Sequence, residues 1–456
     1  MMRTYSKPWT RRRFIKAGAM AAALMALGGC AKNPVTGRSQ LMLVSETEEI
    51  SMDTQASPHQ ISADYGRAQD EALNAYVSEV GHRLADLSHR PEMPYNFQVV
   101  NATYVNAYAF PGGTIACTRG IMLDMENEAE MAALLGHEIG HVNARHTASR
   151  MSNSILVSLA AGVGGALVGA KYGGEWGALA GGLGGFGAGM LLAAYSRQDE
   201  RQADSLGMEY MTRAEYNPDG MAGLMDMLNA KHDREPNALE VMFATHPMSS
   251  ERLATARTAA NTRYPSAREY SFYRERYMDN TASLRSIEPA VRDLQTAEKF
   301  IVKKEYPKAD EHIASALSKA PNDYVGLLLM AKSKAAQGRY SEGIPYAERA
   351  REAHPGEPQA LQLNGLLQVR AGNFSQALSN FTAYEAALPG NPYSAFYKGY
   401  SKEGMGDRRG AAEEYVRFLG QVNQGDQAKH AYYRLVEWGY VKGRAEPVPD
   451  PFKGLA

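Results

Sequence analysis

Cysteine is almost missing. Two residues in 456, Cys30 and Cys117, cannot build the disulfide framework of a small secreted scaffold. An excess of charge is missing too: 49 Lys and Arg stand against 50 Asp and Glu. That balance leaves no electrostatic footprint for nucleic acid or for a strongly acidic partner, and neither is expected. The apolar run near the start, AGAMAAALMALGG (17–29), is too short to span a bilayer. What is left is an ordinary globular composition, 44% apolar and 22% charged, in a chain long enough for two or three domains.

The short apolar run reads as an export address. TRRRFIK (10–16) precedes it and resembles the twin-arginine transport motif. LGGC (27–30) resembles the lipobox of bacterial lipoproteins, whose cysteine becomes the lipidated first residue. Residues 1–29 are expected to be a signal peptide, Cys30 the lipidation site, and 30–44 a tether. A general secretory signal with an incidental cysteine is the alternative. Ala31, not Asp, follows the cysteine, which in a Gram-negative bacterium implies the outer membrane. The expected location is the periplasm, with a lipid anchor holding a water-soluble body to the membrane.

Apolar residues recur at helical spacing in SETEEISMDTQA and DEALNAYVSEVGHRLADLS. NFQVVNATYVNAYAFPGGTIACTRGIML alternates β-branched and aromatic residues around Pro111-Gly112-Gly113, which predicts strands with a turn. Residues 155–194 contain 13 glycines within two apolar runs. They read as a packed or lid-like helical hairpin, with a membrane-touching hairpin as the other reading. Farther on, Pro321, Pro355 and Pro389 are 34 residues apart, and Gly338, Gly372 and Gly406 keep the same period. Ala309, Gly343, Ala377 and Ala411 keep it as well. A 34-residue helix–turn–helix period is the tetratricopeptide signature, and such stacks build a face that binds peptides or partner proteins. The expected plan is α+β and mostly α. A first domain over 45–265 has a small β-sheet, 266–288 is a linker, 289–440 is an α-solenoid of tetratricopeptide repeats, and 441–456 is a tail.

The chemistry concentrates in MAALLGHEIGHVNARH (131–146). Positions four apart share one face of a helix, so His137 and His141 can offer two imidazoles to one metal ion. Glu138 points aside and can take a proton from a metal-bound water. A catalytic zinc ordinarily has three protein ligands and one open position. Ala144 and Thr147 rule out the HExxHxxGxxH continuation, and His146 has the wrong spacing for the same face. The next candidates lie in YSRQDERQADSLGMEYM (195–211), where Glu200 can ligate and Asp204 can orient a ligand histidine. Cys117 reads as a small buried residue, not a nucleophile.

HEIGHVNARH followed by SRQDERQAD resembles the HExxH…ExxxAD pattern of the zinc metallopeptidases that include the CAAX prenyl proteases, HtpX and BepA. The resemblance covers about residues 33–265 and extends to NPVTGRSQLMLVSE, NAYAFPGGTIACTRG and ATHPMSSERL. With the repeats, the plan is most like the BepA kind. The resemblance implies a zincin-like fold and one zinc ion per chain, with His137, His141 and Glu200 as ligands. It makes Glu138 the general base and Asp204 the partner of a ligand. His246 becomes a fourth ligand or plug, and Arg252 lies near the same site. Gly112 and Gly113, followed by Thr114, suggest this stretch as the edge that takes an extended substrate. The implied activity is a zinc-dependent metalloendopeptidase of the cell envelope, acting in protein quality control. Its substrates would be unfolded or stalled periplasmic and outer-membrane proteins, with the repeats docking substrate or the outer-membrane assembly machinery. The alternative is a chaperone or scaffold for outer-membrane assembly whose zinc site is normally plugged. An integral membrane protease is a third reading and rests on the hairpin alone.

Overall fold

A computed structural model describes residues 30–160, 195–234, 240–444 and 446–452. The expected signal peptide and residues 161–194 of the glycine-rich hairpin lie outside the described residues. As the patterning predicts, the chain is mostly helical with a small sheet. The segment expected as a tether is folded: β1 (Cys30–Lys32) pairs antiparallel with β2 (Ser39–Leu41). At the end of the same segment, Leu43 N donates to Ser152 Oγ at 2.9 Å and Arg145 Nη2 donates to Val44 O at 2.8 Å.

α1 (Glu46–Ala63) begins with a capping box, in which Ser45 and Glu48 satisfy each other's backbone N–H. α2 (Glu71–Ala85) buries Leu73, Val77, Val80 and Leu84, which are three and four apart. The main sheet has the order β3 (Asn96–Val100), β5 (Thr114–Thr118), β4 (Ala107–Ala109). β3 is parallel to β5, and β4 is antiparallel to it. The turn between β4 and β5 needs a glycine: Gly113 has φ +107°, and Phe110 N donates to Thr114 O at 2.8 Å.

This strand order corrects one expectation. Gly112, Gly113 and Thr114 are not a free edge, because Thr114 begins the central strand. The turn is also packed beneath α1. Thr114 N donates to Asp53 Oδ2 at 2.8 Å, and a Cβ on Gly112 would come within 2.5 Å of Asp53 Cβ. The edge is β4. Its bonds to β5 bracket the strand, with Thr118 N donating to Asn106 O and Phe110 N to Thr114 O. The backbone groups of Ala107 and Ala109 therefore point away from β5.

α3 (Arg119–Asp124), α4 (Glu128–Asn143), α5 (His146–Ala160), α6 (Arg197–Arg213), α7 (Asp219–Arg234), α8 (Glu240–Thr245) and α9 (Ser250–Thr262) complete the first domain. α4 is buried along its whole length and runs through the core. The expected linker is not a free one. It forms α10 (Arg274–Asn280) and α11 (Ala282–Ser286), whose Tyr277 and Leu284 belong to the same core. Tyr277 OH donates to Met122 O at 2.6 Å, and Arg276 pairs with buried Glu128.

Among the described residues, nine helices follow: α12 (Glu288–Val302), α13 (Tyr306–Lys319), α14 (Tyr324–Ala336), α15 (Tyr340–Ala353), α16 (Gln359–Arg370), α17 (Phe374–Ala387), α18 (Pro392–Gly404), α19 (Arg408–Leu419) and α20 (Asp426–Glu437). α13, α15, α17 and α19 start at residues 306, 340, 374 and 408, so the period of the sequence is the period of the helices. Small residues set the packing: a Cβ on Gly365 would meet the Phe381 ring at 2.6 Å. The stack grips the first domain. Arg119 and Asp323, both buried, pair at 2.6 Å, and Ser62 Oγ donates to Glu357 Oε1 at 2.6 Å. Among the described residues, no helix is long and apolar enough to cross a membrane.

Candidate metal centre

Two helices build the site, and glycine lets them approach. A Cβ on Gly207 of α6 would lie 2.9 Å from His137 N, and one on Gly140 of α4 would lie 3.0 Å from Ala203 Cα. With side chains absent at those points, α4 and α6 run backbone against backbone. α6 is started by a capping box between Ser196 and Asp199, which places Glu200 in its first turn. Glu200, fully buried at 0% exposure, thereby faces His137 and His141.

His246 closes the group from the end of α8. Tyr195 N donates to Thr245 O at 3.0 Å, and that bond pins the segment over α4. His137 Nε2 lies 3.1 Å from His141 Nε2 and 3.4 Å from His246 Nδ1. Glu200 Oε1 lies 3.3 Å from His141 Nε2 and 3.2 Å from His246 Nδ1. Ligands about 2.0 Å from a common centre at tetrahedral angles stand roughly 3.3 Å apart, so this donor set fits a tetrahedral ion. All four donor groups are buried within 4.8 Å of one another. Three imidazoles and a carboxylate suit zinc among the common divalent ions.

The other nitrogen of each α4 histidine is also held. His137 Nδ1 donates to Asp204 Oδ1 at 2.9 Å. Arg252 fixes that carboxylate through Nε and Nη2, both at 2.7 Å, and reaches Glu200 Oε2 with Nη1 at 2.7 Å. His141 Nδ1 faces His146 Nδ1 at 2.9 Å, and His146 Nε2 faces Gln202 Oε1 at 3.2 Å. If protons run from His141 to His146 to Gln202, each contact has one donor and His141 Nε2 keeps its lone pair for the cluster. The His141 ring also stacks on Tyr195 at 3.7 Å between centroids.

The electrostatics follow from burial among opposite charges. Burial alone raises the Glu200 carboxyl, but the facing imidazoles of His246, His141 and His137 hold it well below the usual carboxylate range. Burial raises Asp204 likewise, and Arg252 and His137 more than reverse it. Burial pushes His141 well below its ordinary value, which keeps it neutral and able to ligate. Glu138 moves the other way: burial raises it, and His246 and His137 offset only part of that. Its Oε2 has no hydrogen-bond partner among the described residues, and Oε1 is 3.8 Å from His246 Nε2. A cavity of about 120 Å³ opens beside His246, bounded by Tyr104, Tyr108 and Ala109 at the β4 edge and by Tyr195 and Val241.

The structure thus brings together His137, Glu138, His141, Glu200, Asp204, His246 and Arg252. Gly112 and Thr114 are instead packed against Asp53 of α1. The backbone of Cys30 sits in β1, and its side chain is outside the described residues. Cys117 is buried in the central strand, and burial pushes its thiol up, as befits a packing residue. Sequence reasoning missed the support from His146, Gln202 and Tyr195. The helical pattern carries a signal for His146, five residues beyond His141, but only as a neighbour and not as a ligand.

Residues 71–260 match Peptidase family M48. The chain is similar to the beta-barrel assembly-enhancing protease of Yersinia pestis, 26% identical over 380 residues, which is 78% of each chain. It is 27% identical to the protein of that name from Escherichia coli O157:H7 over 202 residues, 43% of this chain and 40% of that one. Metalloprotease YcaL of Escherichia coli (strain K12) is 29% identical over 198 residues, covering 42% of this chain and 75% of that one.

Proposed function

Because residues 71–260 are an M48 peptidase domain and the protein is a metalloendopeptidase, we propose that it is a zinc enzyme of the bacterial envelope that hydrolyses peptide bonds in misfolded or stalled periplasmic and outer-membrane proteins. The observation that carries this reading is the buried quartet of donor atoms with Glu138 beside it, whose Oε2 has no hydrogen-bond partner among the described residues. In this reading His137, His141 and Glu200 hold one zinc ion, and Asp204 and Arg252 keep His137 and Glu200 in place. Zinc would polarise the scissile carbonyl and make a water acidic enough to lose its proton near neutral pH. Glu138 takes the proton of the attacking water and later gives it to the leaving amine. A raised carboxyl is better matched to that exchange than an ordinary one. Extended substrate adds as a strand beside β4, where the Ala107 and Ala109 backbone groups are free of β5 and the cavity leads to His246.

With His246 among the donors, all four tetrahedral positions are taken by side chains, and a catalytic site needs one of them open. His246 is therefore the plug of a resting enzyme and must withdraw before Glu138 has a water to deprotonate. The same geometry favours a second reading, a chaperone or scaffold of outer-membrane protein assembly whose site stays plugged. The domain bounds belong to the proposal: catalytic residues 45–265, tetratricopeptide repeats 289–440. So do export by residues 1–29, lipidation of Cys30 and attachment to the outer membrane. The similarity to beta-barrel assembly-enhancing proteases supports assembly machinery as the partner of the repeats.

The test is casein degradation by the purified chain with zinc bound. His246→Ala is expected to gain activity, and Glu138→Gln to lose about 10²–10⁴-fold from whatever the parent shows. Envelope function that survives intact in Glu138→Gln cells would sink proteolysis as the main role and leave the scaffold reading standing.

A further inference from the structure

The last described segment, Pro447-Val448-Pro449-Asp450-Pro451-Phe452, forms neither helix nor strand, yet Pro451 and Phe452 are buried. Phe452 is only 4% exposed. Its ring lies 5.0 Å from that of Tyr400 edge-on and 6.2 Å from that of Tyr397 in a stacked arrangement, with the Arg370 guanidinium 5.8 Å above it. The carbonyl oxygens flanking Asp450 are read by side chains: Gln427 Nε2 donates to Pro451 O at 2.9 Å, and His430 Nδ1 to Pro449 O at 2.9 Å.

Every one of these contacts comes from α16, α18 or α20. These are the alternate helices of the stack, so together they form one of its faces. Among the described residues, the segment makes no backbone–backbone hydrogen bond to a neighbouring element and is held by side chains. Proline at every second position pre-sets an extended chain with little entropy to lose, and such chains dock in grooves lined by aromatic rings. The contacts with Tyr397, Tyr400 and Arg370 are of that kind, with a cation–π contribution from Arg370.

We propose that the face lined by Arg370, Tyr397, Tyr400, Gln427 and His430 is a binding groove for extended, proline-rich peptides bearing a phenylalanine, and that residues 447–452 occupy it as a resident ligand in cis. A partner segment of the same chemistry enters by displacing this tail. A tethered tail presents itself at an effective concentration in the millimolar range, so free peptide competes poorly until the tail is weakened.

The experiment uses the full chain and a fluorescein-labelled peptide of residues 446–453, followed by anisotropy. Phe452→Ala in the full chain is expected to bind the peptide about tenfold or more tightly than the parent does, by removal of the tethered competitor. Adding Tyr400→Ala to that variant abolishes the gain, and a peptide with alanine in place of its phenylalanine does not bind. A chain ending at Arg444 serves as the second variant and binds like Phe452→Ala. Equal binding by parent and Phe452→Ala overturns the proposal. So does a Phe452→Ala or truncated chain that has lost the cooperative unfolding of its repeats, because the tail is then a structural cap.

Discussion

Replacing Asp204 with asparagine tests whether the carboxylate beneath His137 shapes the metal site or merely fills space. Asp204 Oδ1 accepts from His137 Nδ1 at 2.9 Å and from Arg252 Nη2 at 2.7 Å, while Oδ2 accepts from Arg252 Nε at 2.7 Å. Asparagine keeps the volume but turns one acceptor into a donor. If its NH₂ faces Arg252 Nε, two donors meet; if it faces His137, the imidazole loses the acceptor that fixes its tautomer. Losing such a partner costs about 10–100-fold in metal affinity, or about 1.4–2.8 kcal/mol. The unliganded fold also suffers, since unpairing one partner of a buried ion pair costs about 3–5 kcal/mol. Arg252 retains Glu200 at 2.7 Å, so the lower end applies. Two measurements separate these effects: zinc competition against a chromophoric chelator at pH 7.5, and thermal unfolding of the metal-free chain. The reasoning fails if Asp204→Asn lowers the unfolding temperature but holds zinc within about twofold of the parent, below the range such partners command.

Glu357 makes the grip of the repeats pH-dependent. Burial pushes its carboxyl from 4.5 up to about 7, against the lowering pull of Ser62 and Gln359. The folded state thus favours the protonated form. That stability is complete below about pH 4.5 and is lost as pH rises through about 7, on the order of 3 kcal/mol in all. Lys332, held to about 8 by burial, keeps its charge across that window. Glu357→Gln should therefore unfold at a higher denaturant concentration than the parent at pH 8, with the gap closing toward pH 4.5; a gap that ignores pH refutes the assignment. Gly207→Ala places a methyl group 2.9 Å from His137 N and forces α6 off α4. A loss of about 1–3 kcal/mol in chemical denaturation is expected, with weaker zinc binding because Glu200 moves too; unchanged zinc affinity would mean that the helices adjust without moving the ligand.

The parts that were legible are those whose signal is local. His137, Glu138 and His141 stand out by helical spacing; Glu200 and Asp204 are four apart on a second helix, and the family resemblance is what singled them out. The repeats are legible because glycine is needed at fixed places, at Gly338, Gly372 and Gly406, each with φ between +73° and +80°. The parts that were not legible depend on lateral contacts. Nothing in the alternation of residues 96–118 says which strand lies in the middle, so Thr114 was expected at an edge that belongs to Ala107–Ala109. His246 is 109 residues from His137, and only a family resemblance brought it forward. The connector was expected as a linker, and contacts far away in sequence, Tyr277 and Leu284 in the core and Arg276 on Glu128, fold it onto the first domain.

The carboxyl end of α1 ties these pieces together. Asp64 accepts from Tyr104 OH at 2.7 Å and from Tyr108 OH at 2.6 Å, so a single buried carboxylate fixes the strand that forms the sheet edge. Two residues earlier, Ser62 donates to Glu357 and its carbonyl accepts from Gln359 Nε2 at 2.8 Å. On the same side Thr103 pairs with Glu298 of α12. The repeats therefore hold the segment that precedes β4 and the carboxylate that anchors it, while β4 lines the cavity that reaches His246. A separate docking module would need only one flexible attachment. The bonds here instead brace the repeat stack at several points against Ser62 and Thr103, beside the residues that hold the sheet edge.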